Sequence, residues 1–228
     1  MNMMKLKILA AGVVTLLTVS AAQAQVTVTN TSSTSVGTAI PDGNPTGVSS
    51  STTFSGILGT ITSVSVSLDI TGGFNGDLYA YLVGPSGEFA VLLNRVGVTS
   101  GNSFGYGNSG FNITLADGNP DIHTYQLSSP LYNGGGQLTG PWAPDGRNID
   151  PQSSGSAFDA ASNSTDLSSF TDNTANGTWT LFVADMSSGG QATLTSWGLS
   201  VVTVPEPQTW ALAASGLGML WAFRRRKA

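Results

Sequence analysis

A chain of 228 residues with no cysteine, 9% charged side chains and a net charge of −5 excludes several classes at once. Disulfides, thiol catalysis and thiolate metal sites need the missing sulfur, and nucleic-acid binding needs Lys and Arg to neutralise phosphates. Only Arg95 and Arg147 fall between Asp42 and Asp185, against twelve acidic residues, so this middle stretch carries about −10, a field that repels nucleic acid and suits divalent cations.

The elements begin with an address. Lys5 and Lys7 precede an apolar run, Ile8 to Val19, that ends in Ala22-Gln23-Ala24. Charge, a short apolar core and a small-x-small site predict a secretory signal peptide over residues 1–24. Its partners are the Sec translocon and signal peptidase, which reads Ala22 and Ala24 and leaves Gln25 as the new start. Residues 25–39 are rich in Thr, Ser and Val and read either as a frayed lead-in or as a first edge strand.

From residue 40 to 203 the period is two, and the 29 glycines with abundant Ser, Thr and Asn favour short strands and turns. Within Ile61–Ile70, Val64, Val66, Leu68 and Ile70 fall on one side, and Ser63, Ser65, Ser67 and Asp69 on the other. That is a half-buried strand. Asp77–Val83 is apolar or aromatic on both sides, as in a strand within a sandwich. Gly84-Pro85-Ser86-Gly87 is a turn, and Glu88 to Val96 returns as its hairpin partner. Further strands are expected at Phe111–Leu115, Thr124–Leu127, Thr178–Ala184 and Thr193–Val204. Trp179, Leu181 and Val183 share one face, as do Trp197, Leu199 and Val201. Residues 97–110 and 131–169 read as long Gly/Asn/Ser-rich loops. The pattern predicts an all-β fold, a sandwich or jelly roll.

The last 25 residues form a second address, over residues 204–228. Pro205 and Pro207 stop a strand or helix from continuing through Val204. An apolar stretch over 210–223 follows, then Arg224, Arg225, Arg226 and Lys227. As a helix that stretch reaches about 21 Å, short of the roughly 30 Å hydrocarbon core. The four cations resist translocation and hold the end on the cytoplasmic side. Pro-Glu-Pro, short membrane segment and basic cluster together resemble the PEP-CTERM sorting signal. The resemblance implies a Gram-negative host and an exosortase that reads Pro205, Glu206 and Pro207. It also implies an inner-membrane-anchored intermediate with a single transmembrane sorting helix. The product then resides at the cell surface, in the outer envelope or in extracellular matrix.

The middle has a resemblance of its own. Ile40-Pro41-Asp42, the Ser63–Ile70 strand, Asn75-Gly76-Asp77-Leu78 and Pro85-Ser86-Gly87 come first. Later come Ala175-Asn176-Gly177-Thr178-Trp179, Asp185, and Leu194 through Trp197 to Leu199. In that order they resemble the P domain found beside subtilisin-like proprotein convertases, which implies a jelly-roll-like β-sandwich. Pro141 to Asn148 resembles the version of that domain carried with PEP-CTERM tails. The family usually stabilises or modulates a protease.

No catalytic residue is assigned. The sole imidazole, His123, reads as a loop residue that bonds locally, and one His makes no zinc pair. Asp42, Asp117, Asp145 and Asp150 sit in turn sequences, where Asp is ordinary chemistry. Calcium, a hard cation that takes carboxylate and carbonyl oxygens from irregular loops, is the one cofactor the acidic middle suggests. Its candidate ligands are Asp42, Asn75, Asp77 and Asp185. The expectation is a non-enzymatic structural or interaction module, meeting exopolysaccharide or another surface protein. Two alternatives stand beside it. One is a carbohydrate-binding module stacking sugars on Tyr79, Tyr81, Tyr106, Tyr132 or Trp142; the other is a separate accessory partner of a subtilisin-like protease.

Overall fold

The computed structural model describes residues 28–204. The expected signal peptide with Ala22 and Ala24, the Pro205-Glu206-Pro207 motif, the apolar stretch and Arg224 to Lys227 lie outside the described residues. Ten strands make two sheets. One has the order β1-β10-β3-β6-β8-β7, from Val28–Ile40, Ala192–Val204, Thr60–Gly72, Phe111–Leu115, Leu138–Trp142 and Leu131–Tyr132. The other has the order β2-β9-β4-β5, from Asn44–Phe54, Gly177–Asp185, Leu78–Val83 and Phe89–Asn94. All neighbours are antiparallel except β6 and β8.

Alternation explains why the sheets stack. On β3, Val64, Val66, Leu68 and Ile70 are buried, and they meet Leu78, Ala80 and Leu82 of β4 and Trp179, Leu181 and Val183 of β9 in one core. In β10 the apolar positions are Leu194, Trp197, Leu199 and Val201, a spacing that breaks strict alternation after Leu194. A bulge between Leu194 and Ser196, in the pairing with β3, restores the phase so that all four point inward. Both core tryptophans satisfy their N–H as they are buried. Trp179 Nε1 donates to Ala175 O at 3.0 Å, and Trp197 Nε1 to Ser50 Oγ at 2.9 Å.

The structure changes several expectations. Residues 28–40 are the first edge strand, the second of the two readings, in register with β10 from Val28↔Thr203 to Ile40↔Ala192. Residues 44–54 are a strand that the sequence pattern concealed, because Ser and Thr fill both of its faces. Thr124–Leu127 is not a strand but lies in a 3-10 segment, Ile122–Ser128. Asp121 starts that segment by accepting from His123 N at 2.8 Å, and Ser129 closes it in the left-handed region. The stretch 131–169 carries β7, β8, a six-residue helix α1 at Gly155–Ala160 and a 3-10 turn at Leu167–Phe170. No helix among the described residues is long and apolar enough to cross a membrane.

Candidate functional site

Three connections meet at one end of the sandwich. The turn from β1 to β2 brings Asp42, the 3-10 turn Asn75–Asp77 leads into β4, and β9 ends on Asp185. Asp185 lies between Asn44 of β2 and Leu78 of β4, and Met186 N donates to Asp77 O at 2.8 Å. Chain topology therefore sets Asp77 beside Asp185, although 108 positions separate them. Gly76 permits the approach: a Cβ there would collide with the Phe104 carbonyl and with Tyr106 N.

The cluster is acidic and dry. Asp185 is fully buried and Asp77 is 6% exposed. Burial first, and then the neighbouring Asp185, pushes the Asp77 carboxyl up from 3.8 to about 6; Arg95 pulls the other way and Asp42 adds to the rise. Asp185 is raised as well, chiefly by burial, against the lowering effect of its bond from Ser187 N. Arg95 does not pair with either carboxylate. Its donors go to the carbonyls of Gly76 at 3.2 Å, Ser103 at 3.4 Å and Pro151 at 3.5 Å. Asp185 Oδ1 accepts from Ser187 N at 3.1 Å; its Oδ2 is buried without a well-formed hydrogen bond, although the Gly43 N–H also lowers this carboxyl's pKa.

Asn75 has the same defect. Its Nδ2 donates to Tyr125 OH at 3.2 Å, and its Oδ1 is buried and unpartnered. Buried oxygens without donors cost free energy in an ion-free protein and are what a hard cation would use. Asp42 accepts from Gly189 N at 3.1 Å and lies near enough to raise both Asp77 and Asp185. Among the described residues no three carboxylate or imidazole groups converge as a ready-made metal cluster. Of the four candidate calcium ligands, Asp77 and Asp185 are thus neighbours, with Asn75 in the same 3-10 turn as Asp77.

A second polar cluster lies outside those expectations. His123 Nδ1 is 2.8 Å from Asp145 Oδ2, and its Nε2 is 3.0 Å from Val98 O, so both nitrogens are committed. Asn94 N donates to the same carboxylate at 3.2 Å; Arg147 reaches Asp145 Oδ1 at 3.2 Å and Asp121 Oδ2 at 2.8 Å. Asp145 is fully buried, so it is the hub of this network rather than a turn residue, and His123 bonds across the fold rather than locally. Its only sequence signal was the Pro141–Asn148 segment. Gly101-Asn102-Ser103-Phe104-Gly105 has the spacing of a nucleophile elbow. It forms a tight turn bridged by Thr99 and Asn102, not a strand-to-helix elbow, and His123 has no nitrogen left for Ser103.

The aromatic candidates also separate. Trp142 is 5% exposed with Nε1 bonded to Thr139 O at 3.0 Å, so it offers no stacking face. Tyr106 packs edge-on against Tyr125, and Tyr132 is 40% exposed. Tyr79 and Tyr81 share the outer face of the four-stranded sheet with Phe182 and Phe89.

The family model of the proprotein convertase P-domain matches residues 145–201, and that of the PEP-CTERM protein-sorting motif matches residues 203–227. The chain thus has one segment similar to a P domain and, directly after it, one similar to a PEP-CTERM sorting motif. P domains are non-catalytic accessory domains. The sorting motif marks proteins that are exported, membrane-anchored before exosortase processing, and surface-associated or extracellular afterwards. No curated protein matches the sequence. Two solved structures are similar to it: the serine protease of Aeromonas sobria, and that protease in complex with its chaperone. Each is 18% identical with a TM-score of 0.44, covering 78% of this chain. The chain spans 27% of the length of each.

Proposed function

We propose that the mature protein is a β-sandwich interaction module displayed at the cell envelope or released into extracellular matrix, and that it works without chemistry of its own. The observation that carries this reading is the succession of the two family matches: the P-domain match ends at residue 201 and the sorting motif begins at 203. Export by the Sec route removes residues 1–24, and exosortase then acts at Pro205 to Pro207 and discards the apolar segment with its basic end. Mass spectrometry of the protein recovered from its own host tests this. The expected product starts at Gln25 and ends between Pro205 and Pro207. Recovery of Arg224 to Ala228 in most molecules would mean a permanent membrane anchor and overturn the reading.

Calcium belongs to the same proposal as a structural ion. Asp77 and Asp185 would hold it, with Asn75 as the neutral oxygen donor, and its charge would relieve the repulsion between the two carboxylates. The unpartnered Asp185 Oδ2 supports this assignment. Excess calcium is expected to raise the melting temperature and chelator to lower it; a melting temperature indifferent to both removes the ion. Action as a separate partner of a subtilisin-like protease predicts co-purification with such an enzyme, and pull-downs without one leave the envelope module ahead.

A further inference from the structure

Four strands form the margins of the two sheets: β1 and β7 flank the six-stranded sheet, β2 and β5 the four-stranded one. A sheet margin presents N–H and C=O groups to any passing strand, and native proteins blunt such margins by several devices. Three of these four carry one. β5 is covered by another segment: Val91 N donates to Thr165 O at 2.9 Å, Gly146 N to Val91 O at 3.0 Å and Asp145 N to Leu92 O at 3.1 Å. β7 is only two residues long. β2 begins with Pro45, which has no N–H, and its pairing with β9 shifts between Asn44 and Val48, with Gly47 at φ 52°.

β1 carries no such device over most of its length. Val28–Ile40 contains no charged residue and no proline. From Val28↔Thr203 to Ser35↔Ser196 it stays in continuous register with β10, a run about 26 Å long. A bulge intervenes only beyond Ser35, where Gly37 lies at φ 59° and a Cβ would meet nothing within 4 Å. Among the described residues no strand pairs with the outer edge of this run. The core is also thin on this flank, because Val36 of β1 and Val48 of β2 pack against it yet are only partly buried.

Charge selects the occupant. The stretch from Asp42 to Asp185 repels a second copy over most of the surface, but β1 and its neighbour β10 hold no charged residue at all. A two-fold axis through the middle of residues 28–35 sets the run antiparallel to its own copy. The acidic turns then lie at opposite ends. Asp42 is about 35 Å from the axis at ~3.3 Å per residue, so the two copies of it stand about 70 Å apart, many times the roughly 8 Å screening length.

Composition and area agree with that pairing. Residues 29–35 are all Thr, Ser or Asn, so the run laid against itself sets hydroxyl and amide groups opposite one another. Ser51–Thr180 and Thr53–Thr178 already join β2 to β9 in this way, at 3.0 and 3.2 Å. A contact about 26 Å long and about 20 Å deep covers roughly 500 Å² on each copy. The total, about 1,000 Å², is the lower limit of a specific interface.

We propose that β1 is the docking edge for a second copy of this chain, the two runs pairing antiparallel to join two six-stranded sheets into one. The assembly closes at two copies, because the remaining margins are covered, short or interrupted. It depends on the sheets alone and holds whatever the fate of the tail.

Sedimentation equilibrium of the full chain in density-matched non-ionic detergent tests this. The wild-type chain is expected to reach twice its monomer mass, with a Kd on the order of 10–100 μM for so small an area. Ser33 and Ser35 are exposed, and the double variant Ser33→Lys/Ser35→Lys should weaken the dimer about tenfold or more. Ser67→Lys, exposed on β3, should change nothing. The absence of cysteine permits cross-linking from one site. Ser33→Cys should be joined to its copy by a short bis-maleimide, and Ser67→Cys, two strands inward, should not; this arm decides alone if the Lys variant does not fold.

A wild-type chain still monomeric at about 1 mM overturns the proposal. So does a dimer that the folded Lys variant leaves intact, cross-linking at Ser67→Cys as ready as at Ser33→Cys, or growth beyond two copies. A monomer whose host product has the expected termini removes the second copy and leaves the sorted module standing.

Discussion

Two buried polar clusters in this domain are built from similar residues and end in opposite states. Around Asp145 the carboxylate itself is satisfied, although Asn94 Oδ1 beside it is buried without a partner: His123, Arg147 and Asn94 N all donate to it, and Asp121 takes the remaining guanidinium bond. Around Asp185 it stays open. Asp77 stands beside it with a raised pKa, Arg95 gives its donors to carbonyls, and Asp185 Oδ2 has no partner. The first cluster ties the capping segment to β5 and holds a structure together. The second keeps two carboxyls with raised pKa side by side, the reason calcium was proposed there. Charge count alone does not separate the two clusters; satisfaction of each carboxylate oxygen does.

The comparison breaks if the two clusters answer alike to substitution. Asp145→Ala leaves a buried His and Arg without their acceptor and should cost about 3–5 kcal/mol in urea unfolding. Next in size is the cation: calcium at a hundredfold excess over Kd should stabilise the wild-type protein by about 2–3 kcal/mol. Asp185→Asn should erase that response, and Asp145→Ala should retain it, read as a shift in melting temperature.

A smaller effect comes from protons. In chelator, Asp77 binds its proton more tightly folded than unfolded, because its folded value is about 6 against 3.8. Stability contributed by that proton is present below pH 4 and is lost as pH rises towards 6. Asp77→Asn should therefore flatten the stability profile across that window and gain about 1–3 kcal/mol at pH 7 without calcium. Smallest of all, Asp42→Ala loses a bond to Gly189 N in an exposed turn and relieves some repulsion, a net change below about 1 kcal/mol in the same unfolding assay.

Legibility in the sequence followed the strength of local pattern. The half-buried strand at Thr60–Gly72 was plain because Val, Leu and Ile alternate there with Ser and Asp. Phe111–Leu115 matched to the residue. The strand at Asn44–Phe54 was hidden because a Ser/Thr-rich edge strand with one outer face and one shallow inner face shows little amphipathic contrast. Thr124–Leu127 misled in the other direction: short apolar alternation is ambiguous, and the Asp121 cap decided for a 3-10 turn.

Site residues were readable as types, not as partners. Asp77 and Asp185 were candidates because both border strands, yet their adjacency depends on β4 pairing with β9. Phe182 looked like one more hydrophobic residue in a strand until the register set it against Tyr81.

By itself the sequence determined what local chemistry determines: the sorting motif over 203–227, the strand period, the acidic and cysteine-free character, and the turns. Tertiary structure alone decided which carboxylate is locked and which is orphaned, and which aromatic rings are core and which form a face. The physical reason is that burial and pairing are relations between residues distant in the chain. A side chain's charge or ring is written at its own position, but the donor that satisfies it or the neighbour that covers it is supplied by sheet register.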